Sequence, residues 1–201
     1  MIKIRSVRRL AGLMLLLAGL QPAPTSAQPR PDIPADAIRV PCCRCLDGHQ
    51  QVVNINTRTA PWQVGSPGST GVQPVVAAGN VSWYPVPPAG WVGPPGNPTA
   101  VGDYTYFIRI YVPRCTIPGR VILSGRFGAD NSARVFLDSG QIAASQGTPN
   151  YGFLQGSITP FSTPVGPGVH TLRVVVRNIG GPTGMILQGQ LTFTCPRDLE
   201  Q

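Results

Sequence analysis

An acidic residue and an amide stand side by side at Asp130-Asn131, inside the stretch GRFGADNSARVFLDSG at residues 125–140. Carboxylate and amide oxygens bind sugar hydroxyls, and oxygen-rich loops also bind calcium. The same two residue types are common in turns, because their side chains bond the local backbone and tolerate unusual dihedral angles. We expect Asp130-Asn131 to be a turn first and a ligand contact second, with calcium at Asp130 as an alternative.

Other polar and aromatic candidates follow in later loops. Consecutive antiparallel strands reverse direction, so three loops, at 128–131, 146–152 and 178–184, are expected to share one rim of the fold. Amides and an aromatic ring with glycine-rich backbone are the groups that recognise sugars. The candidate ligand-binding residues are Asp130, Asn131, Asn150, Tyr151, Asn178 and, from a Pro-rich stretch, Trp91.

Five cysteines could form disulfides or bind a metal: Cys42, Cys43, Cys45, Cys115 and Cys195. The CCRC cluster lacks the C-x2-C spacing that is usual for zinc, so disulfides are favoured in an oxidising compartment and no metal site is expected there. The sequence does not determine the pairing. An odd number leaves at least one thiol free or bonded to another molecule.

Catalysis has little support. Hydrolysis of a glycosidic bond usually needs two carboxylates on opposite sides of that bond, and nothing in the sequence pairs Asp103, Asp130 or Asp138. No G-x-S-x-G motif is present, and His170 begins a predicted strand beside no evident nucleophile. We therefore expect a protein that is not an enzyme and needs no cofactor, calcium apart.

Residues 1–27 resemble an export signal. Four basic residues precede an apolar core at 10–20, and small residues lead to Ala27, where cleavage is expected. Eleven apolar residues are too few for a membrane-spanning helix, which needs roughly 20. The mature chain is expected to be secreted, periplasmic or at the cell surface, without stable membrane insertion.

The charge is spread thinly over the mature chain. Four of the 16 basic residues lie in residues 1–27, so 12 arginines remain against 8 acidic residues, a net charge of +4. These arginines stand singly, without the patch or stripe that a nucleic-acid-binding protein normally shows. Nucleic acid is therefore not an expected partner.

Every periodic stretch of the mature chain has the period of a strand. Pro- and Ala-rich residues 28–49 form a predicted linker with the Cys cluster, residues 50–195 one domain, and residues 196–201 a short tail. Turn-forming Gly and Pro fall between the apolar runs, which predicts an all-β antiparallel sandwich or jelly roll. Strong strands are expected at 104–112, 120–128, 132–138, 169–177 and 184–194, and weaker ones at 51–57, 72–78, 81–85, 141–145 and 153–161.

Aromatic residues divide into two groups. Trp62, Trp83 and Trp91 lie in Pro-rich stretches, where a ring can stack on a sugar, although covering one end of the core is favoured. The rings of three phenylalanines within the strands, Phe127, Phe136 and Phe193, are predicted in the core.

The order of several motifs carries a family resemblance. WVGP at 91–94, SGRFGADNSARVFLD at 124–138 and GGPTGMILQG at 180–189 follow one another in a pattern that resembles galactose-binding-like jelly-roll domains of bacterial secreted and surface proteins. The resemblance covers residues 50–194. It implies the fold and, loosely, binding of glycan or of a cell surface, but no ligand set.

Two hypotheses follow for function. The first is a secreted, non-catalytic module that recognises carbohydrate or a cell-surface glycan at the rim. The second is a structural or adhesion subunit that assembles as a homo-oligomer through sheet edges or an intermolecular disulfide. The first predicts a partly aromatic concave site and saturable glycan binding. The second predicts concentration-dependent oligomers and a thiol-linked dimer on a non-reducing gel.

Overall fold

The computed structural model describes residues 32–41, 50–96, 99–114, 121–145 and 151–194. The described chain is almost entirely strand and turn, with a single 3-10 turn at Gln155–Ser157. Its strands are β1 (Ile38–Arg39), β2 (Gln50–Asn54), β3 (Gln63–Gly65), β4 (Val72–Pro74), β5 (Val76–Ala77), β6 (Val92–Gly93), β7 (Gly102–Val112), β8 (Val121–Asp130), β9 (Ser132–Leu137), β10 (Gly140–Ala144), β11 (Thr159–Val165), β12 (Gly168–Asn178) and β13 (Gly184–Thr194).

These strands form two sheets. Sheet A has the order β10-β9-β12-β7-β3-β4, and β1 runs parallel to β7 beside it. Sheet B has the order β11-β8-β13-β6-β5, with β2 beside β13. All the other paired strands are antiparallel. The predicted all-β antiparallel sandwich is confirmed.

Strand alternation builds the core between the sheets. In β7, Tyr104, Tyr106 and Ile108 are buried while the residues between them are partly exposed, and β12 shows the same alternation. Side chains from both sheets join one apolar cluster, which includes Phe127 and Phe193 as expected. Phe136 was predicted in the core but points outward, because its neighbour Val135 takes the inward position of β9.

Two of the weaker strands were predicted at residues that are not, or only partly, strand. Residues 81–85 form a turn, because the Trp83 amide donates to the Asn80 carbonyl at 3.0 Å and the Asn80 side chain accepts from the Ser82 amide at 3.0 Å. In 153–161 only the last residues are strand, since the 3-10 turn comes first. The short strands β3 and β6 were not predicted.

The domain begins earlier than residue 50. Part of the predicted linker packs on sheet A, where β1 pairs with β7, Val40 is buried and Asp36 forms an ion pair with Arg109 at 2.9 Å. A two-residue strand is too short to show periodicity, so the Pro-rich composition concealed it. The predicted signal, the five cysteines and the predicted tail lie outside the described residues.

A membrane-spanning helix was not expected after the leader. No helix within the described ranges has the length and apolar character needed to cross a bilayer.

Gly125 tests how closely β8 and β13 approach. It lies opposite Gly189, and a Cβ at Gly125 would meet the Gln188 carbonyl oxygen and stand 2.8 Å from the Gly189 Cα. We expect Gly125→Ala to lower the free energy of unfolding by about 1–3 kcal/mol, because backbone must move to admit the methyl group. Urea unfolding measures the change. Gly156→Ala is the matched control, since its Cβ would meet nothing within 4 Å; equal losses in both variants would contradict the close approach.

Candidate functional site

Asn131 carries the chain from one sheet to the other. Strand β8 ends in sheet B at Asp130, and β9 begins in sheet A at Ser132. The Asn131 amide donates to the Arg177 carbonyl at 3.1 Å, and its own carbonyl accepts from the Gly152 amide at 2.6 Å. Its side-chain Oδ1 accepts from the Ile179 amide at 2.9 Å. The three predicted rim segments therefore do meet at this residue.

Asp130 is buried beside Asn131, with 6% of its surface exposed. Its Oδ2 accepts a hydrogen bond from Trp83 Nε1 at 2.9 Å, whereas Oδ1 is buried without a partner. The Asp130 carbonyl accepts from the Thr183 hydroxyl at 3.0 Å. Burial raises the pKa of the Asp130 carboxyl, and the bond from Trp83 opposes part of that rise.

Asn178 has no exposed surface and holds the following glycine-rich loop. Its Nδ2 donates to the carbonyls of Ala100 at 3.0 Å and Gly181 at 3.2 Å, and its Oδ1 accepts from the Gly180 amide at 3.1 Å. The side chain thus replaces the backbone bonds that a strand would have supplied.

The rim residues differ greatly in exposure. Asp130, Asn131 and Asn178 are buried, whereas Tyr151 is 49% exposed and packs edge-on against Phe153 with the ring centroids 5.9 Å apart. Asn150 lies outside the described residues. Their role in ligand binding stays a prediction, as does calcium at Asp130. Within the described ranges, no three His, Cys, Asp or Glu side chains cluster as a metal site requires.

Trp83 links the buried corner to a second aromatic residue. Its ring lies 4.5 Å from the ring of Trp91, centroid to centroid, at an interplanar angle of 34°. Trp91 Nε1 donates to the Tyr84 carbonyl at 2.9 Å, so hydrogen bonds fix both indoles. They form a small apolar cluster with Val86, Ala89 and Ile186 at one end of the core, as the sequence favoured.

Trp91 lines an open cleft of about 350 Å³. Two buried indoles, those of Trp62 and Trp91, contribute to its lining, together with exposed proline, valine and alanine side chains and the guanidinium of Arg58. None of its residues carries a carboxylate. The complete lining is Thr57, Arg58, Ala60, Pro61, Trp62, Pro74, Val75, Val76, Ala77, Ala78, Gly90, Trp91 and Val92.

Gly90 positions Arg58 in this cleft. A Cβ at Gly90 would stand 3.0 Å from Arg58 Nε and 3.2 Å from its Nη2, so the guanidinium lies against the bare backbone. The Thr57 hydroxyl donates to the Gly90 carbonyl at 2.5 Å and fixes that backbone. None of the three ion pairs among the described residues includes Arg58. The guanidinium therefore lies close to Gly90 with no carboxylate paired to it among the described residues.

A more polar groove of about 310 Å³ lies on the outer face of sheet B. Arg126 and Gln188 line it, and Arg126 Nε donates to Gln188 Oε1 at 2.8 Å. It has no aromatic residue in its lining. Of these two sites, only the Trp91 cleft has aromatic side chains in its lining.

Sequence reasoning found Trp91 but missed its partners. Arg58 lies in an irregular segment, so neither period nor motif marked it. Trp62 was considered, but not as part of the same site as Arg58. Trp83 was weighed only as a sugar contact or a core cover. The Nε1 bond to Asp130 had no sequence signal, because 47 residues separate the two side chains.

Comparisons with known proteins identify no family. No family model matches the chain, and no curated protein does. Among solved structures, the CBM36-1 domain of a multidomain xylanase from the hindgut metagenome of Trinervitermes trinervoides is similar over 72% of this chain and 96% of its own, with 15% identity and a TM-score of 0.36. A family 35 carbohydrate-binding module from Clostridium thermocellum is similar over 71% and 98%, with 11% identity and a TM-score of 0.39.

A β-D-glucuronidase from Dictyoglomus thermophilum is similar over 74% of this chain, with 13% identity and a TM-score of 0.42. The chain spans only 28% of that enzyme. The galactose-binding-like resemblance inferred from the sequence is consistent with these matches.

The Asp130–Trp83 bond generates a stability prediction. Trp83→Phe keeps an aromatic ring but leaves the buried carboxylate without its donor, so the free energy of unfolding at pH 7 should fall by about 1.5–3 kcal/mol. Protonation removes the charge that needs the donor. Because burial raises the pKa of Asp130 in the folded state, stability from this group is greatest below the unfolded pKa and declines as pH rises through the folded pKa.

The loss in Trp83→Phe should therefore be smaller at acidic pH than at pH 7, in urea unfolding at both. Trp91→Phe is the matched control, since its Nε1 donates to a neutral carbonyl. A pH-independent loss in Trp83→Phe would contradict the role assigned to the carboxylate.

Proposed function

We propose that this domain is a secreted, non-catalytic carbohydrate-binding module and that the Trp91 cleft receives the sugar. The observation that supports this most directly is the combination of two indoles with an unpaired guanidinium held against Gly90. Secretion is proposed from the leader-like residues 1–27.

The lining suits a sugar because it is apolar on one side and donates hydrogen bonds on the other. The apolar face of a pyranose packs against the indole, proline and valine surface, while the hydroxyls accept from the Arg58 guanidinium, which carries five N–H donors in a fixed plane. A volume of about 350 Å³ falls in the lower part of the range for small-ligand sites. The site is open, so a longer glycan extends from it.

The distribution of carboxylates supports binding without catalysis. Asp36 pairs with Arg109, Asp103 with Arg177 and Asp138 with His170. Asp130 is buried against Trp83. A glycosidase needs two carboxylates facing one bond, and the Trp91 cleft contains none.

Two of the four outer strands, β11 and β4, disfavour edge-to-edge assembly. Edge strand β11 contains Pro160 and Pro164, and edge strand β4 ends at Pro74. Proline has no N–H to donate to an added strand, so these edges are poor templates for another chain.

A glycan array on the full chain, followed by calorimetry with the best oligosaccharide, tests the proposal. We expect saturable binding that weakens about tenfold in Arg58→Gln, because a charge-assisted hydrogen bond is lost. Gly90→Ala should weaken it as well, since the new methyl group displaces the guanidinium without removing it.

Arg126→Gln is the control, because it removes the same charge from the outer face of sheet B. Binding that survives Arg58→Gln and Gly90→Ala but is lost in Arg126→Gln would place the sugar in the other groove and refute the cleft. An array without any bound glycan would refute the function.

A further inference from the structure

The outer face of sheet A carries one straight row of aromatic and polar side chains. Strand register places Phe136 of β9 beside Arg173 of β12, and Arg173 beside Phe107 of β7. Gln141 of β10 flanks Phe136, and Gln63 of β3 flanks Phe107. Five neighbouring strands at about 4.8 Å spacing make a row of roughly 19 Å. Its order is amide, ring, guanidinium, ring, amide.

Phe136 holds two arginines over its ring. The Cζ of Arg173 lies 4.8 Å from the ring centroid and that of Arg134 lies 5.8 Å from it. Cations are attracted to an aromatic face at these distances. Two like charges thus lie within 5.8 Å of one ring centroid, and both attract an anion that approaches this part of the sheet.

Neither arginine is neutralised within the described chain. Two neighbouring arginines, on β7 and β12, are paired, Arg109 with Asp36 at 2.9 Å and Arg177 with Asp103 at 3.3 Å. No ion pair among the described residues includes Arg134 or Arg173. Arg173 Nε is buried without an acceptor, so only the terminal nitrogens of that guanidinium are left for bonding.

We propose that this face is a second binding site, which takes a uronate-bearing polysaccharide laid across the strands. Guanidinium groups bind carboxylates by paired, charge-assisted hydrogen bonds, so Arg134 and Arg173 receive the uronate carboxylate. The amides of Gln63 and Gln141, at the two ends of the row, bond the sugar hydroxyls. The choice of a polysaccharide rests on the proposed function, whereas the anion site rests on the arginines alone.

A nucleic acid fits this face less well. Single-stranded nucleic acids are bound by stacking bases on open aromatic rings. Here guanidinium groups lie over both rings, since Arg109 Cζ also lies 5.9 Å from the centroid of Phe107. The arrangement presents charge to a ligand and leaves little ring face for a base.

Affinity electrophoresis of the full chain in gels containing polygalacturonate, neutral dextran or single-stranded DNA tests this site. We expect retardation by polygalacturonate and not by dextran, with affinity reduced at least tenfold in Arg173→Gln. Phe136→Leu should weaken binding at unchanged net charge, because the two guanidinium groups lose the ring that holds them.

Arg126→Gln is the matched control, since it removes one exposed arginine from the other sheet. Equal losses in Arg126→Gln and Arg173→Gln would show a response to net charge and overturn the site. Retention on DNA in preference to polygalacturonate would overturn the ligand class. Arg58→Gln should leave polygalacturonate retardation intact, so failure of the cleft and failure of this face are distinguishable.

Discussion

The passage of the chain between the sheets at Asn131 is the constraint on which the rim depends. A crossing made by one buried residue leaves backbone groups that neither sheet can pair, and buried backbone groups must be bonded. Two separate segments supply the partners: residues 177–179, through the Arg177 carbonyl and the Ile179 amide, and Gly152, through its amide. The paths of the two later segments are therefore set by the crossing. Asp130-Asn131 is a turn, and its polar side chains accept hydrogen bonds from the Trp83 indole and the Ile179 amide inside the fold.

The Asp130-Asn131 turn also supports the Trp91 cleft indirectly, through Trp83. The Asp130 carboxylate fixes the indole of Trp83, and Trp83 packs on Trp91, whose ring lines the cleft. A buried carboxyl with a raised pKa would elsewhere be a candidate general acid or base. Here the Asp130 carboxyl is buried, since the residue is only 6% exposed, and it accepts its bond from Trp83. It therefore supports the cleft and does not line it. The most conspicuous polar pair in the sequence thus orients buried rings, one of which lines the cleft.

Period-two patterning predicted the sandwich because burial on one face is repeated along each long strand, as in β7, β8 and β12. The same information failed for β3 and β6, which are three and two residues long. It failed for Phe136 because an aromatic residue was assigned by type, although Val135 already occupied the inward position. The cleft escaped prediction for another reason: Arg58, Gly90 and Trp91 come from irregular segments, and only the folded chain brings Arg58 against Gly90.

Arg58 and Arg173 differ from an ordinary exposed arginine, which is simply solvated, in the residues that surround their guanidinium groups. With 8 acidic residues in the whole sequence, carboxylates are scarce, and those described mostly join one part of the fold to another, as Asp36 does with Arg109. Arg58 and Arg173 have no such partner among the described residues, yet Arg58 lies against Gly90 and Arg173 lies over the ring of Phe136. Ordering a long side chain opposes binding, so a guanidinium that is already ordered binds with less loss of entropy. Both proposed sites follow from this preorganisation and not from the net charge.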